Sequence, residues 1–141
     1  MRIVQIIPSF GMGGAETMCA ALSRQLLLDG HQVSAISLSG EKTVISQRLE
    51  TSGVPVYYLD KALGSGVQCV GQLKKLLKTL DPQLIHTHLH ALKYAALASS
   101  GVPIVHTIHN QAAQEAVFLD KQIGKYCFCR GRALPVALTR E

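Results

Sequence analysis

Apolar residues come in short runs along the chain, and segments with helical spacing separate most of these runs. The first run, Ile3–Ile7, is almost continuously apolar and is followed by Pro8 and a cluster of glycines. This pattern is typical of a strand buried on both faces, as strands are in parallel sheets. Six segments are predicted to be strands: Ile3–Ile7, Gln32–Leu38, Val54–Leu59, Gln83–Thr87, Pro103–His109 and Ala133–Leu138.

Helical patterns fill the intervals between these strands. Gly30, Gly53 and Pro82 are placed as stops after the first three patterns. Because parallel neighbours need crossover connections, the alternation predicts an α/β fold. We expect residues 1–141 to form a single Rossmann-like, doubly wound parallel sheet of about six strands, in the common order 3-2-1-4-5-6. The predicted helical segments are Ala15–Leu26, Val44–Thr51, Val70–Leu80, Ala91–Ser99 and Gln114–Phe128.

Composition agrees with a folded globular domain and excludes several classes of protein. Hydrophobic residues make up 48% of the 141 residues and charged residues 16%, which argues against disorder. No apolar run reaches the roughly 18–20 residues of a membrane span. The apolar run at the N-terminus is too short for a signal-peptide core. Aromatic residues are sparse and tryptophan is absent, so no nucleic-acid partner is expected.

The net charge and the cysteines indicate the kind of partner and the cellular compartment, but they do not decide the function. The net charge of +5 favours an anionic partner such as a phosphorylated substrate or an acidic membrane surface. Dispersed lysines are more often a solvated face, however. The four cysteines show neither CxxC metal spacing nor the framework of a small secreted protein. Buried or free thiols in a reducing, cytoplasmic compartment are the expectation.

Unusual residues follow the first, fourth and fifth predicted strands. They are the glycine loop at residues 9–16 and the histidine-rich segments at residues 86–90 and 106–110. Doubly wound sheets bind ligands beyond the carboxyl ends of their strands, where the strand order reverses. In the predicted order the first and fourth strands are adjacent at that point. The three segments are therefore expected to line one crevice.

The glycine loop suits an anion better than a dinucleotide. Gly13 and Gly14 let backbone N–H groups approach a ligand, and the N-terminus of the next helix favours negative charge. As a dinucleotide fingerprint the loop fails, because Glu16 stands at the third glycine position. The second strand also ends in Leu38-Ser39-Gly40, without a carboxylate for a ribose. A tight turn that merely starts a helix stays open as the alternative.

Five of the six histidines lie between His86 and His109. Alternate histidines would share one face of a strand, but no Cys, Asp or Glu accompanies them, so no metal site is predicted. For His86 and His106 we expect burial with a satisfied hydrogen bond. His88 and His109 lie nearest the crevice and are the functional candidates.

These segments together resemble the family-4 retaining glycosyltransferases of the GT-B fold. The resemblance runs through IVQIIPSFGMGGAETMCAALSRQLLLDGHQVSAISL, DPQLIHTHLHA and GVPIVHTIHN. In that family two Rossmann-like domains face each other, the N-terminal one mainly binding the acceptor and the C-terminal one the nucleotide-sugar donor. The resemblance implies that this chain is the acceptor-side half, that the donor domain is absent, and that the chain alone is inactive. No cofactor is implied, since the nucleotide-sugar is a substrate.

The resemblance also implies roles for individual residues. Gly13 and Gly14 would lie near the donor diphosphate. Glu16, in the first turn of the following helix, would belong to the same loop, with a capping or structural role as the alternative. His109 matches the family histidine beside the transferred sugar and is the candidate catalytic residue. His88 would help to line the acceptor pocket. Asn110 would flank the acceptor.

The sequence is also compatible with other functions. A non-catalytic Rossmann-like module that binds a phosphorylated ligand or a partner protein is the main alternative. A nucleotide-dependent oxidoreductase is disfavoured by Glu16 and by the missing carboxylate. The basic surface motivates a cell-envelope, lipid-linked or polysaccharide acceptor, with peripheral contact at the inner face of a membrane. A crevice left open by a missing domain favours a homodimer.

Overall fold

The computed structural model describes residues 1–60, 66–109 and 118–138, with the side chains of residues 118–121 outside the described set. Within these ranges lie six strands, five α-helices and one 3-10 turn. The elements are β1 Arg2–Ile7, α1 Gly14–Leu28, β2 Gln32–Ser37, α2 Val44–Thr51, β3 Val56–Tyr58, α3 Gly66–Leu80, β4 Leu84–His88, the 3-10 turn Leu89–Ala91, α4 Leu92–Ala98, β5 Ile104–Ile108, α5 Phe118–Cys129 and β6 Ala133–Ala137.

All six strands join one parallel sheet in the order β3-β2-β1-β4-β5-β6. The predicted fold class and strand order are therefore confirmed. β3 is shorter than the predicted Val54–Leu59, because Pro55 has no N–H and only its carbonyl, which accepts from Ala35 N, takes part in the pairing. The start predicted for the last helix, Gln114, lies outside the described residues.

Helices cover both faces of the sheet, so alternate residues of each strand enter different cores. Ile7 of β1 and Ala35 of β2 pack with Cys19 of α1 and Leu49 of α2 on one face. The opposite core is larger and belongs to α3, α4 and α5. Its fully enclosed members include Ile6, Ile36, Leu73, Ile85 and Ala95.

The ends of the helices follow local rules. Thr43 and Ser46 form a reciprocal capping box at the start of α2. Gly30 ends the first helical segment with φ +86° and Gly53 follows α2 with φ +96°. Both values lie in the left-handed region that glycine adopts without a steric penalty, which is why the two glycines act as the predicted stops.

Polar side chains cross-link β4 and β5 on both faces of the sheet. On one face His86 Nε2 lies 2.7 Å from Thr107 Oγ1, and on the other Thr87 Oγ1 lies 2.9 Å from His106 Nδ1. All four residues are buried. The prediction that His86 and His106 are buried and hydrogen-bonded is confirmed. Burial lowers the pKa of each imidazole to about 4.

These two histidines should make the fold sensitive to acid. A histidine in the unfolded chain titrates near its ordinary pKa of 6.5, whereas His86 and His106 stay neutral until about pH 4. Between those values the unfolded state binds more protons, so the free energy of unfolding falls as the pH falls. We expect the urea midpoint, followed by circular dichroism, to decrease steadily across this window.

His106→Gln tests whether the buried imidazole causes that decrease. Glutamine can still hydrogen-bond to Thr87 but does not titrate, so the pH slope should become shallower by up to about 1.4 kcal/mol per pH unit. An unchanged slope in His106→Gln would contradict this account.

Candidate functional site

The carboxyl ends of β1, β4 and β5 open into one crevice of about 460 Å³. This position follows from the strand order, because the chain adds strands on one side of β1 as far as β3 and then crosses back to β4 on the other side, so the order reverses between β1 and β4. The N-terminus of α1 forms one wall, and the segments after β4 and β5 form the other. The crevice is lined by Gly14, Ala15, Glu16, Met18, Leu89, His109 and Leu138.

The glycine loop carries the crevice wall at the start of α1. Gly13 is the N-cap residue in an extended conformation and no side chain caps the helix there. Glu16 bends back over the loop instead. A Cβ atom added at Gly13 would collide with its carboxylate Oε2, and one added at Gly11 would lie 3.6 Å from its Oε1. The second distance is an ordinary van der Waals contact, so it is the absence of a side chain at Gly13 that lets the carboxylate lie over the loop.

The carboxylate of Glu16 lies at a position that favours negative charge. It lies in the first turn of α1, where the unpaired N–H groups and the helix dipole stabilise an anion. The side chain is half-buried. A phosphate group entering the same place would meet both the favourable helix end and the unfavourable carboxylate.

His109 follows β5 and faces the crevice, and its ring is half-buried. Its Nε2 lies 3.0 Å from His88 Nδ1, and the two ring centroids are 5.2 Å apart. The structure therefore brings His109, Gly14 and Glu16 to one crevice. Asn110, the other residue predicted beside the acceptor, lies outside the described residues.

His88 is placed differently from the sequence expectation. Its side chain has no exposed surface and is absent from the crevice lining. The ring lies behind His109, with Nε2 2.9 Å from Gln5 Oε1. Burial, reinforced by the charges of His86, His109 and His106, lowers the pKa of His88 to about 2. His88 therefore reaches the crevice through His109 and not by direct contact.

Gln5 is the site residue that the sequence reading missed. It lies fully buried at the centre of β1, beside His86 in the register of β1 and β4. The available signal was a single amide inside the otherwise apolar run Ile3–Ile7. A lone polar residue in a strand buried on both faces needs a hydrogen-bond partner, and the partner here is His88.

Leu89, which lines the crevice, has an uncommon backbone conformation. Its φ is +51°, a region that residues with a Cβ atom seldom adopt. The residue follows β4 directly and starts the 3-10 turn, whose second residue is His90. Such strain is tolerated where the surrounding structure holds the chain, and it collects at functional sites. Here it turns the chain away at the crevice edge.

Two further properties concern ligands and membranes. Within residues 1–60, 66–109 and 118–138, no three His, Cys, Asp or Glu side chains are grouped so as to hold a metal ion. Over the same part of the chain, no helix combines the length and the hydropathy needed to cross a bilayer.

Comparison with known proteins agrees with the architecture. The protein-family model described as Glycosyltransferase Family 4 matches residues 12–131. Among solved structures, MurG from Acinetobacter baumannii is 20% identical over 89% of this chain and 39% of its own, with a TM-score of 0.66. A glycosyltransferase from Rickettsia africae is 13% identical over 97% of this chain and 36% of its own, with a TM-score of 0.75.

A third structure, HepE from Anabaena in complex with UDP, is 18% identical over 97% of this chain and 43% of its own, with a TM-score of 0.67. No curated protein matches the chain. The chain spans between 36% and 43% of the length of these three structures. The family match over most of the sequence and the doubly wound sheet lead to one assignment: the chain belongs to glycosyltransferase family 4, as an N-terminal domain of the GT-B fold.

Proposed function

We propose that this chain is the acceptor-binding N-terminal domain of a retaining glycosyltransferase that uses a nucleotide-sugar donor. The observation that supports it is the composition of the crevice. A glycine loop at a helix N-terminus and the imidazole of His109 share one opening of about 460 Å³. The first suits a phosphate group, and the second suits a hydroxyl-rich sugar.

Each wall of the crevice has a part in the proposed transfer. The bond between the anomeric carbon and the donor diphosphate breaks, a bond from that carbon to an acceptor hydroxyl oxygen forms, and the hydroxyl proton passes to the departing diphosphate oxygen. Negative charge grows on the diphosphate, so backbone N–H groups around Gly13 and Gly14 would stabilise the leaving group. His109 would lie beside the transferred sugar.

Donor binding needs a second domain in this proposal. By the family resemblance, the glutamate and basic residues of the donor site belong to a C-terminal domain. The three solved glycosyltransferases above are more than twice as long as this chain. We therefore expect residues 1–141 to bind an acceptor without turnover.

The acceptor proposed is a cell-envelope, lipid-linked or polysaccharide sugar. Three exposed lysines on α3, Lys74, Lys75 and Lys78, present positive charge that would suit an anionic acceptor or membrane surface. In this proposal the enzyme acts in the cytoplasm, peripherally at the inner face of a membrane.

Calorimetry with this chain tests the proposal directly. Nucleotide-sugars and phosphorylated or lipid-linked sugar acceptors would be titrated in parallel. We expect acceptor binding with little or no nucleotide-sugar binding, because this proposal assigns the donor site to a second domain that residues 1–141 do not include. Tight nucleotide-sugar binding would overturn the division of labour. Binding of simple phosphate compounds with no sugar preference would favour the non-catalytic module.

His109→Ala tests the site in the two-domain enzyme. Loss of a group placed beside the reacting sugar should lower kcat by about 100-fold or more, by analogy with removal of a single transition-state hydrogen-bond donor. The thermal midpoint should change little, since the ring is only half-buried. His90→Ala, exposed in the neighbouring turn, is the matched control. Wild-type turnover in His109→Ala would remove His109 from the mechanism.

Glu16→Gln tests whether the carboxylate competes with a bound phosphate. The change removes negative charge at the N-terminus of α1 and keeps the side-chain size. We expect affinity for a nucleoside diphosphate in the two-domain enzyme to rise about two- to fivefold, which corresponds to about 0.3–1 kcal/mol for one charge at a helix end. Asp29→Asn, at the far end of the same helix, should leave it unchanged. Weaker binding in Glu16→Gln would show that the carboxylate contacts the ligand favourably.

A further inference from the structure

A buried hydrogen-bonded chain runs from the middle of the sheet to the crevice. It begins at Gln5 in β1, continues through His88 at the end of β4 and ends at His109 after β5. Gln5 Oε1 lies 2.9 Å from His88 Nε2, and His88 Nδ1 lies 3.0 Å from His109 Nε2. Three strands are thus connected by side chains on one face of the sheet.

Gln5 is an unfavourable residue for its position. Its side chain is fully buried, and within the described part of the chain its Nε2 finds no hydrogen-bond partner. A buried amide nitrogen without a partner is destabilising. An apolar residue of similar size would suit the strand better. Within the described residues, the hydrogen bond of the Gln5 side chain is the one that its oxygen accepts from His88. We therefore look for the role of Gln5 in that hydrogen bond.

The oxygen of Gln5 sets the direction of every hydrogen bond that follows. A carbonyl oxygen only accepts, so His88 Nε2 carries the proton. Burial keeps His88 neutral, and a neutral imidazole with Nε2–H has a lone pair on Nδ1. His109 Nε2 must then donate to that lone pair. The neighbouring His86 does not compete, because its Nε2 is hydrogen-bonded to Thr107.

We propose that Gln5 and His88 are positioning residues that hold His109, which lines the crevice, as the Nε2–H tautomer with its lone pair on Nδ1. Through Nδ1, a neutral imidazole of this form accepts a hydrogen bond from a hydroxyl group and not from a carbonyl or phosphate oxygen. The choice of a hydroxyl-bearing ligand rests on the proposed function. The tautomer itself does not.

Nitrogen-15 NMR of the histidine-labelled chain tests the tautomers without any ligand. At neutral pH, the ring-nitrogen shifts separate a protonated nitrogen from one with a lone pair. We expect both His88 and His109 to be Nε2–H with unprotonated Nδ1. Finding Nδ1–H on either residue would overturn the proposal. Since no substrate is used, failure here is distinct from failure of the proposed glycosyl transfer.

Gln5→Leu tests whether Gln5 is the origin of the preference. Leucine removes the accepting oxygen and the unpartnered amide nitrogen together. We expect loss of the single tautomer at both His88 and His109, with little net change in the thermal midpoint, because the unpartnered amide nitrogen is removed while His88 Nε2 loses its acceptor. A purely structural role predicts the opposite, lower stability with unchanged tautomers, and that result would refute the proposal. Should this variant fail to fold, the wild-type spectrum still decides.

Thr107→Val supplies the matched control in the adjacent strand. It removes the hydrogen bond to His86 on the same face but leaves the chain from Gln5 to His109 intact. The ring-nitrogen shifts of His86 should change, and those of His109 should not. An equal change at His109 in both variants would mean that general loosening of the sheet causes the effect, which would contradict the proposal.

Discussion

β1 hydrogen-bonds to β2 on one side and to β4 on the other, with all three strands parallel. The chain adds β2 and β3 on one side of β1, and the crossover through α3 then returns it to β4 on the other side, where β5 and β6 follow. The helices therefore divide between the two faces, and a gap opens where they separate. The glycine loop after β1 and the polar ends of β4 and β5 lie at this gap, so the crevice is a consequence of strand order.

The centre of the sheet is polar where a parallel sheet is ordinarily apolar. Gln5, His86, His88 and Thr107 form a band on one face, and Thr87 pairs with His106 on the other. Such groups are tolerated in a core only when they are hydrogen-bonded. Most of them are paired across β1, β4 and β5, which ties these strands together by side chains as well as by backbone. Burial keeps these histidines neutral, because it opposes their charged form and so lowers the pKa of His86, His88 and His106.

The crevice combines two features that act against each other. The N-terminus of α1 attracts anions, yet the carboxylate of Glu16 lies over the same glycine loop. On the other wall, His109 is held by a hydrogen bond to His88, whose side chain is fully buried. An anionic ligand would have to displace the Glu16 carboxylate on the first wall, whereas the His109 ring on the second wall is already held in place. Preorganised groups of the second kind are the more effective in catalysis.

The sequence by itself determined the fold class, the strand order, the helix stops at Gly30 and Gly53, and the convergence of the glycine loop with the histidine segments. These depend on periodicity and on the carboxyl-end rule, which act locally or through strand order. Burial and hydrogen bonding of His86 and His106 were predictable for the same reason. Tertiary structure alone decided the place of His88, the partner of Gln5 and the fold-back of Glu16. Each depends on which side chain lies opposite on a neighbouring strand or loop, and on side-chain directions set by register and packing, which one chain's pattern does not contain.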